Sequence, residues 1–196
     1  MRPYLCWRAL SLGLIDKSQI RSNANTRGAI DPSVGFLVVS GLFTWLSGRL
    51  PGTVTAYLAL PDEVDLSPLF DRLPGWRWVL PRVEHDGVLT FRDREIPTEI
   101  HRFGMEQPIE RGPITPTHEI DVFLVPGLAF DLTGARVGRG GGFYDRLLAD
   151  RRSDAVAVGV ATEMKILESV PMYPHDQRVG WLATESGIKE CSPPTM

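Results

Sequence analysis

Apolar residues along this chain fall into short β-branched runs bounded by turn residues, with longer stretches at helical spacing between them. "IDPSVGFLVVSGLFTWLSGR" (30–49) predicts a buried helix, with Asp31 as its cap and Pro32 at the first helical position. "TVTAYLAL" (53–60), bounded by Pro51-Gly52 and Pro61-Asp62, predicts a buried strand. "DEVDLSPLFDRL" (62–73) follows with Val64, Leu66, Leu69 and Leu73 at helical spacing. "WRWVLP" (76–81) and "GVLTFRD" (87–93) predict two more strands, the second at an edge or in a hairpin. Residues 96–118, rich in Pro, Glu and Thr, have no period and predict an ordered surface loop. "IDVFLVPG" (120–127) is the strongest strand signal, "YDRLLADRR" (144–152) predicts a helix, and "DAVAVGVA" (154–161) and "RVGWLATE" (178–185) complete the strands.

Strands alternating with helices imply an α/β domain of three layers, with a mostly parallel, Rossmann-like sheet between helices. At 196 residues, one domain with a sizeable core is expected. It is assigned to 17–187, with 1–16 as a frayed N-terminal extension and 188–196 as a C-terminal tail. Composition adds exclusions. The net charge of -3 does not favour nucleic acid. No apolar run is long enough to span a bilayer. In the first 16 residues the apolar part is short, Arg8 abuts it and no A-x-A site follows, so a signal peptide is not expected. Cys6 and Cys191 form no metal-ligand spacing and no disulfide framework, so a cytoplasmic protein is expected.

The chemistry concentrates in "VGRGGGFYDR" (137–146), between a buried strand and a helix. Consecutive glycines can turn several backbone N–H groups toward one point, and such a nest before a helix binds anions. Arg136, Arg139 and Arg146 suit phosphate oxygens, and Asp145 could hold a metal bridging them. The P-loop is excluded, because the run ends in Gly-Phe-Tyr rather than GK[ST]. The dinucleotide fingerprint is excluded too, since Phe143 stands three residues after Gly140. Read alone, a flexible glycine loop with solvent-facing arginines remains open.

"VPGLAFDLTGARVGRGGGFYDRLL" (125–148) resembles the signature of the 5-formyltetrahydrofolate cyclo-ligase family, also called 5,10-methenyltetrahydrofolate synthetases. Lys17 and Arg21 in "KSQIR", Glu63 in "LALPDEVD" (58–65) and Asp176 in "HD" (175–176) resemble further family features in order. The resemblance implies ATP-dependent conversion of 5-formyltetrahydrofolate to 5,10-methenyltetrahydrofolate with magnesium, on a chain expected to be monomeric. By that resemblance Arg136, Val137, Gly138, Arg139, Gly140, Gly141, Gly142, Phe143 and Tyr144 line the triphosphate. Arg136, Arg139 and Tyr144 are the candidate catalytic groups. Lys17 and Arg21 reach the phosphates from the N-terminal helix. Asp145 and Asp176 hold magnesium, while Leu58, Glu63 and Tyr144 meet the folate.

Each role has a plainer counterpart. Lys17 and Arg21 could be a solvated helix face, Glu63 a first-turn helix acid, and His175-Asp176 a simple turn. Trp76 and Trp78 at strand spacing fit core and sheet face better than a folate-stacking pair. Phe143 replaces the usual tyrosine, and Gln107 stands near where the family often has glutamate before Pro108. After Arg21, "RSNANTRGAIDPSVG" (21–35) replaces the usual long charged helix. A binding protein of the same fold without catalysis is therefore the alternative function, and a small-molecule kinase a third.

Overall fold

The strand and helix pattern is realised in a computed structural model that describes residues 16–24, 28–102 and 104–192. In chain order come α1 (Lys17–Ala24), α2 (Pro32–Ser47), β1 (Thr53–Thr55), α3 (Ser67–Arg72), β2 (Arg77–Val83) and β3 (Leu89–Asp93). Then follow β4 (Thr98–Ile100), β5 (Glu106–Pro108), β6 (Val122–Val125), β7 (Ala129–Asp131), β8 (Arg136–Val137) and α4 (Phe143–Ala149). The chain closes with β9 (Val156–Val160), β10 (Ile166–Leu167), β11 (Trp181–Thr184) and β12 (Gly187–Glu190). The main sheet has 7 strands in the order β12-β11-β9-β6-β1-β2-β3. Its inner neighbours β11, β9, β6, β1 and β2 pair in parallel. The edges β3 and β12 pair antiparallel.

Alternation along the strands builds the layers. Val122 and Leu124 of β6 enter one apolar cluster with Val38, Leu42 and Leu46 of α2 and Leu69 of α3. Phe123 and Val125 enter a second with Leu147 and Leu148 of α4. Trp78 and Leu80 against Val79 repeat the alternation on β2. A strand buried on both faces reads as a continuous apolar run, and each such side chain contributes about 1.5–3 kcal/mol by leaving water. α2 begins as expected, with Asp31 accepting from the Ser33 N–H at 2.8 Å and Pro32 at its start. α1 belongs to a third cluster, where Ile20 meets Ala129, Ala135, Val137 and Val170.

Several expectations change. The strand expected over 53–60 keeps ladder pairing only to Thr55, and Pro61 ends the extended run. The helix expected over 62–73 begins at Ser67, so Glu63 lies in the turn before it. The loop over 96–118 contains the β4–β5 hairpin. Gln107 fastens that hairpin: its Oε1 accepts from the Val83 N–H at 3.1 Å, and its Nε2 donates to Glu99. This two-sided use needs an amide rather than a carboxylate. Residues 188–190, set apart above as tail, form most of β12. The extension over 1–16 lies outside the described residues except for Asp16, whose carboxylate caps α1 through the Ser18 and Gln19 N–H groups.

The sheet order reverses at β1, since β2 follows on one side and β6 and β9 on the other. In open α/β sheets the crevice beyond the strand C-termini at such a reversal is where ligands bind. Here that crevice receives the segment after β1, with Tyr57 to Glu63, and the segment after β6, with Pro126 and Gly127.

Candidate functional site

The glycine loop is presented by a small second sheet, β10-β7-β8. Asp131, buried at the end of β7, holds its turn. Its Oδ1 accepts from the Thr133 N–H and hydroxyl and the Ala135 N–H, and its Oδ2 accepts from the Val170 N–H at 2.8 Å. Arg136 then enters the loop with 5% of its surface exposed. A Cβ on Gly138 would sit 2.9 Å from its guanidinium, so a side chain there would push the Arg136 head group aside. Gly142 adopts φ 64° as it starts α4, a conformation that glycine takes without a Cβ penalty. The amides of Gly140, Gly141 and Gly142 donate to no acceptor among the described residues.

Lys17, Arg21, Arg136 and Arg139 converge on this loop, three of them against an acid. Arg136 donates to Asp145 at 2.7 Å, and Lys17 to Asp176 at 2.6 Å. Arg21 donates through Nε to the Gly138 carbonyl at 3.0 Å. Arg139 reaches Asp62 at 2.6 Å and Glu63 at 3.1 Å. Lys17 and Arg21 are thus not a solvated helix face; the Lys17 and Asp176 side chains are each 6% exposed. Asp176 and Asp145 lie beside one another along the chain fold, since the Gln177 N–H donates to Asp145 at 3.2 Å. Burial works to raise the Asp176 carboxyl, but the Lys17 hydrogen bond and the Tyr173 N–H overcome it and hold it below the usual range. Burial likewise opposes ionisation of Asp62, and Arg139 with Lys165 reverses the balance.

Magnesium usually keeps several waters and takes one or two carboxylates plus substrate phosphates. Asp145 and Asp176 at the rim of a glycine loop fit that requirement. Among the described residues no group of three or more His, Cys, Asp or Glu gathers into a closed protein cage.

Glu63 sits beyond β1 with its side chain 10% exposed. Its Oε2 accepts from the Leu60 N–H at 3.1 Å, which aims the carboxylate across the crevice. Leu58 packs at the edge of the first apolar cluster. Tyr144 packs against the second, under the Arg136 guanidinium at 5.7 Å. Burial and then Glu63 push the Tyr144 phenol above its ordinary range, so it stays protonated.

Two expected lining residues turn inward. Val137 is fully buried in the third cluster, and its carbonyl accepts from the Leu128 N–H, so its side chain is core. Phe143 folds its ring back over Gly141, where a Cβ would meet it at 2.4 Å. Trp76 and Trp78 are core residues, with Trp78 against Phe70 at 4.9 Å between ring centroids.

Two polar residues that no motif singled out join the site. Asp62 pairs with Arg139. Lys165, 4% exposed, donates to the Asp62 carbonyl at 2.6 Å and the Gly127 carbonyl at 3.2 Å. It therefore ties the turn carrying Glu63 to the loop after β6. A single lysine in a short 3-10 turn carries no pattern that would reveal this.

The chain is similar to known proteins. The model of the 5-formyltetrahydrofolate cyclo-ligase family matches residues 48–185. The Mycolicibacterium smegmatis protein of that name is 34% identical over 172 residues, which covers 82% of this chain and 89% of that protein. The Escherichia coli K12 protein of that name is 32% identical over 147 residues, covering 70% and 80%. The structure of Aquifex aeolicus 5,10-methenyltetrahydrofolate synthetase superposes with a TM-score of 0.77 at 29% identity, over 92% of this chain and 95% of that one. The Mycoplasma pneumoniae 5,10-methenyltetrahydrofolate synthetase shares the fold, with a TM-score of 0.73 at 22% identity over 87% and 99%.

Proposed function

The chain belongs to the 5-formyltetrahydrofolate cyclo-ligase family, and from that membership we propose how its own residues carry out the ATP-dependent conversion of 5-formyltetrahydrofolate to 5,10-methenyltetrahydrofolate. The observation that carries the reading is the convergence of Lys17, Arg21, Arg136 and Arg139 on a glycine loop whose Gly140, Gly141 and Gly142 amides have no acceptor among the described residues. Four cations and free N–H groups match the oxygens of a triphosphate. In the protein alone, acids partner three of these cations. ATP binding exchanges those partners for phosphate oxygens.

The reaction needs activation of a poor leaving group. The formyl oxygen attacks the γ-phosphorus of ATP, and ADP leaves. N10 of the folate then attacks the formyl carbon, the five-membered ring closes, and the carbon–oxygen bond breaks with release of phosphate; N10 gives up its proton. Catalysis of this kind rests on positioning and charge stabilisation rather than on a nucleophilic side chain. Arg136 and Arg139 stabilise charge on the transferred phosphoryl group. Lys17 and Arg21 hold the phosphates from α1. Glu63 accepts hydrogen bonds from the N–H edge of the pterin, with Leu58 packing beside it and Tyr144 between folate and phosphoryl group. Asp145 and Asp176 would hold magnesium, which when bound neutralises charge on the phosphate oxygens.

The test is the near-ultraviolet absorbance of the protein with 5-formyltetrahydrofolate and magnesium. ATP-dependent growth of the methenyl chromophore, with release of phosphate, is expected. Folded protein that binds ATP and folate without forming the chromophore would overturn the catalytic reading in favour of a binding protein. A stable phosphorylated product would point to a kinase.

A further inference from the structure

Glu63, which meets the folate in the reading above, is already engaged in the protein alone. Its Oε2 accepts from the Leu60 N–H at 3.1 Å, and its Oε1 accepts from the Arg139 guanidinium at 3.1 Å. The same Arg139 nitrogen donates to Asp62 at 2.6 Å. Arg139 belongs to the glycine run, 76 residues further along the chain than Glu63. One guanidinium therefore joins the loop that suits a triphosphate to the turn that suits a pterin.

The two acids differ in what else holds them. Asp62 has a second cation, since Lys165 lies 3.5 Å from its Oδ2 and also donates to its carbonyl at 2.6 Å. Among the described residues, Arg139 is the one cation in ion-pair contact with Glu63. Arg139 is also the least buried of the paired cations around the loop: its side chain is 43% exposed, against 3% for Arg136. A pair so open to water contributes little, so it exchanges readily for a stronger one. A triphosphate offers several charged oxygens where Glu63 offers one, and charge-assisted bonds to phosphate are strong.

We propose that Arg139 couples the two substrate sites. In the protein alone it occupies Glu63; nucleotide binding draws it onto the phosphates and leaves both Glu63 oxygens for the adjacent N–H groups of the pterin. The inference rests on the folate reading of Glu63 and the triphosphate reading of the loop given above. Asp62 keeps Lys165, so the turn holds its place while Glu63 changes partner. 5-Formyltetrahydrofolate therefore binds weakly on its own and more tightly to the nucleotide complex, and linkage makes the effect mutual. The formyl group settles in the site only once its phosphoryl donor is there.

Calorimetric Kd values for 5-formyltetrahydrofolate test this, with and without a saturating non-hydrolysable ATP analogue and magnesium, on wild type and on Arg139→Gln; a melting curve checks that the variant is folded. In wild type the analogue should tighten folate binding about tenfold, a usual size for coupling between two sites. Folate in turn should tighten the analogue by the same factor. Without nucleotide, Arg139→Gln should bind folate about fivefold or more tighter than wild type, and the analogue should add less than about threefold to that. Were Arg139 an ordinary folate contact, its loss would weaken binding, so a variant that binds folate no tighter than wild type overturns the proposal. Coupling that survives the substitution overturns it as well. Equal folate affinity in wild type with and without the analogue overturns it without need of any variant, and leaves the functional reading standing. A wild type that binds no folate under either condition fails the functional reading and this proposal with it.

Discussion

Two groups of ion pairs occupy this molecule, and they are built differently. One joins β2, β3 and the β4–β5 hairpin. There Glu84 accepts from Arg82 at 3.1 Å, Arg92 at 2.7 Å and the Thr90 hydroxyl at 2.6 Å. Arg82 also donates to Glu99 and to the Pro108 carbonyl. Each carboxylate serves several donors inside a hydrogen-bonded strand frame. The other group surrounds the glycine loop as separate pairs, Lys17–Asp176, Arg136–Asp145 and Arg139 with Asp62 and Glu63. Those pairs lie beside glycine amides that have no acceptor among the described residues. Buried charge is common to both regions. Uncommitted hydrogen-bonding capacity next to the charge is what distinguishes a place for a ligand from a strut.

The comparison predicts opposite responses to mutation. Asp145→Asn should lower turnover about a thousandfold or more, because it removes the carboxylate proposed to hold magnesium beside the proposed phosphate site. The thermal midpoint should move by only about 3 °C, since the side-chain oxygen still accepts from Arg136. Asn is a cleaner test than Ala, which would leave the buried Arg136 unpaired. Steady-state turnover and a melting curve on one preparation check this, and a variant within tenfold of wild type would remove Asp145 from the metal site.

Arg82→Met should do the reverse. Removing Arg82 leaves Glu84 with Arg92 and Thr90 but strips the buried Pro108 carbonyl of its guanidinium donor, a loss of about 1–3 kcal/mol. Urea unfolding should show that loss, while kcat per folded molecule stays within twofold. A large change in kcat with little change in stability would erase the distinction between the two regions.

Acid gives the smallest effect and separates them again. The carboxyls of Asp176, Asp62 and Glu84 are held below their ordinary values of 3.8 and 4.5, their hydrogen bonds and cationic partners overcoming the opposing effect of burial. A depressed folded value means stability that is present above the unfolded pKa and lost as pH falls through the folded one. The thermal midpoint should therefore drop as pH is taken from about 5 toward 3. Lys17→Met should flatten the share belonging to Asp176 and leave that of Glu84. An acid profile that overlays wild type would mean that the Lys17 pair contributes no such stability.

The legible parts of the sequence were those where pattern is local. β6 and β9 declare themselves by unbroken apolar runs, because both of their faces are buried. The residues from 125 to 148 carry loop, acid and helix start in one contiguous stretch, so the glycine loop, Arg136 and Asp145 were found together. The β4–β5 hairpin was hidden, because all three residues of β4 are exposed and show no alternation. β12 shows no strand pattern for a similar reason, since Ile188 is its one large apolar residue and Lys189 and Glu190 are exposed. Lys165 and Asp62 are joined across 103 residues, a contact that exists only once the sheet has formed.

The Lys17–Asp176 pair spans 159 residues, which ties completion of the glycine-loop site to the arrival of Asp176. A ribosome releases the glycine loop long before Asp176, and contacts of such sequence separation must await closure of the intervening chain. Nascent fragments that stop short of Asp176 can already carry the glycine run and its arginines, yet they lack the acid that holds Lys17 in place. The protein therefore gains a finished nucleotide pocket at nearly the same moment that it gains the last parallel strand of its sheet.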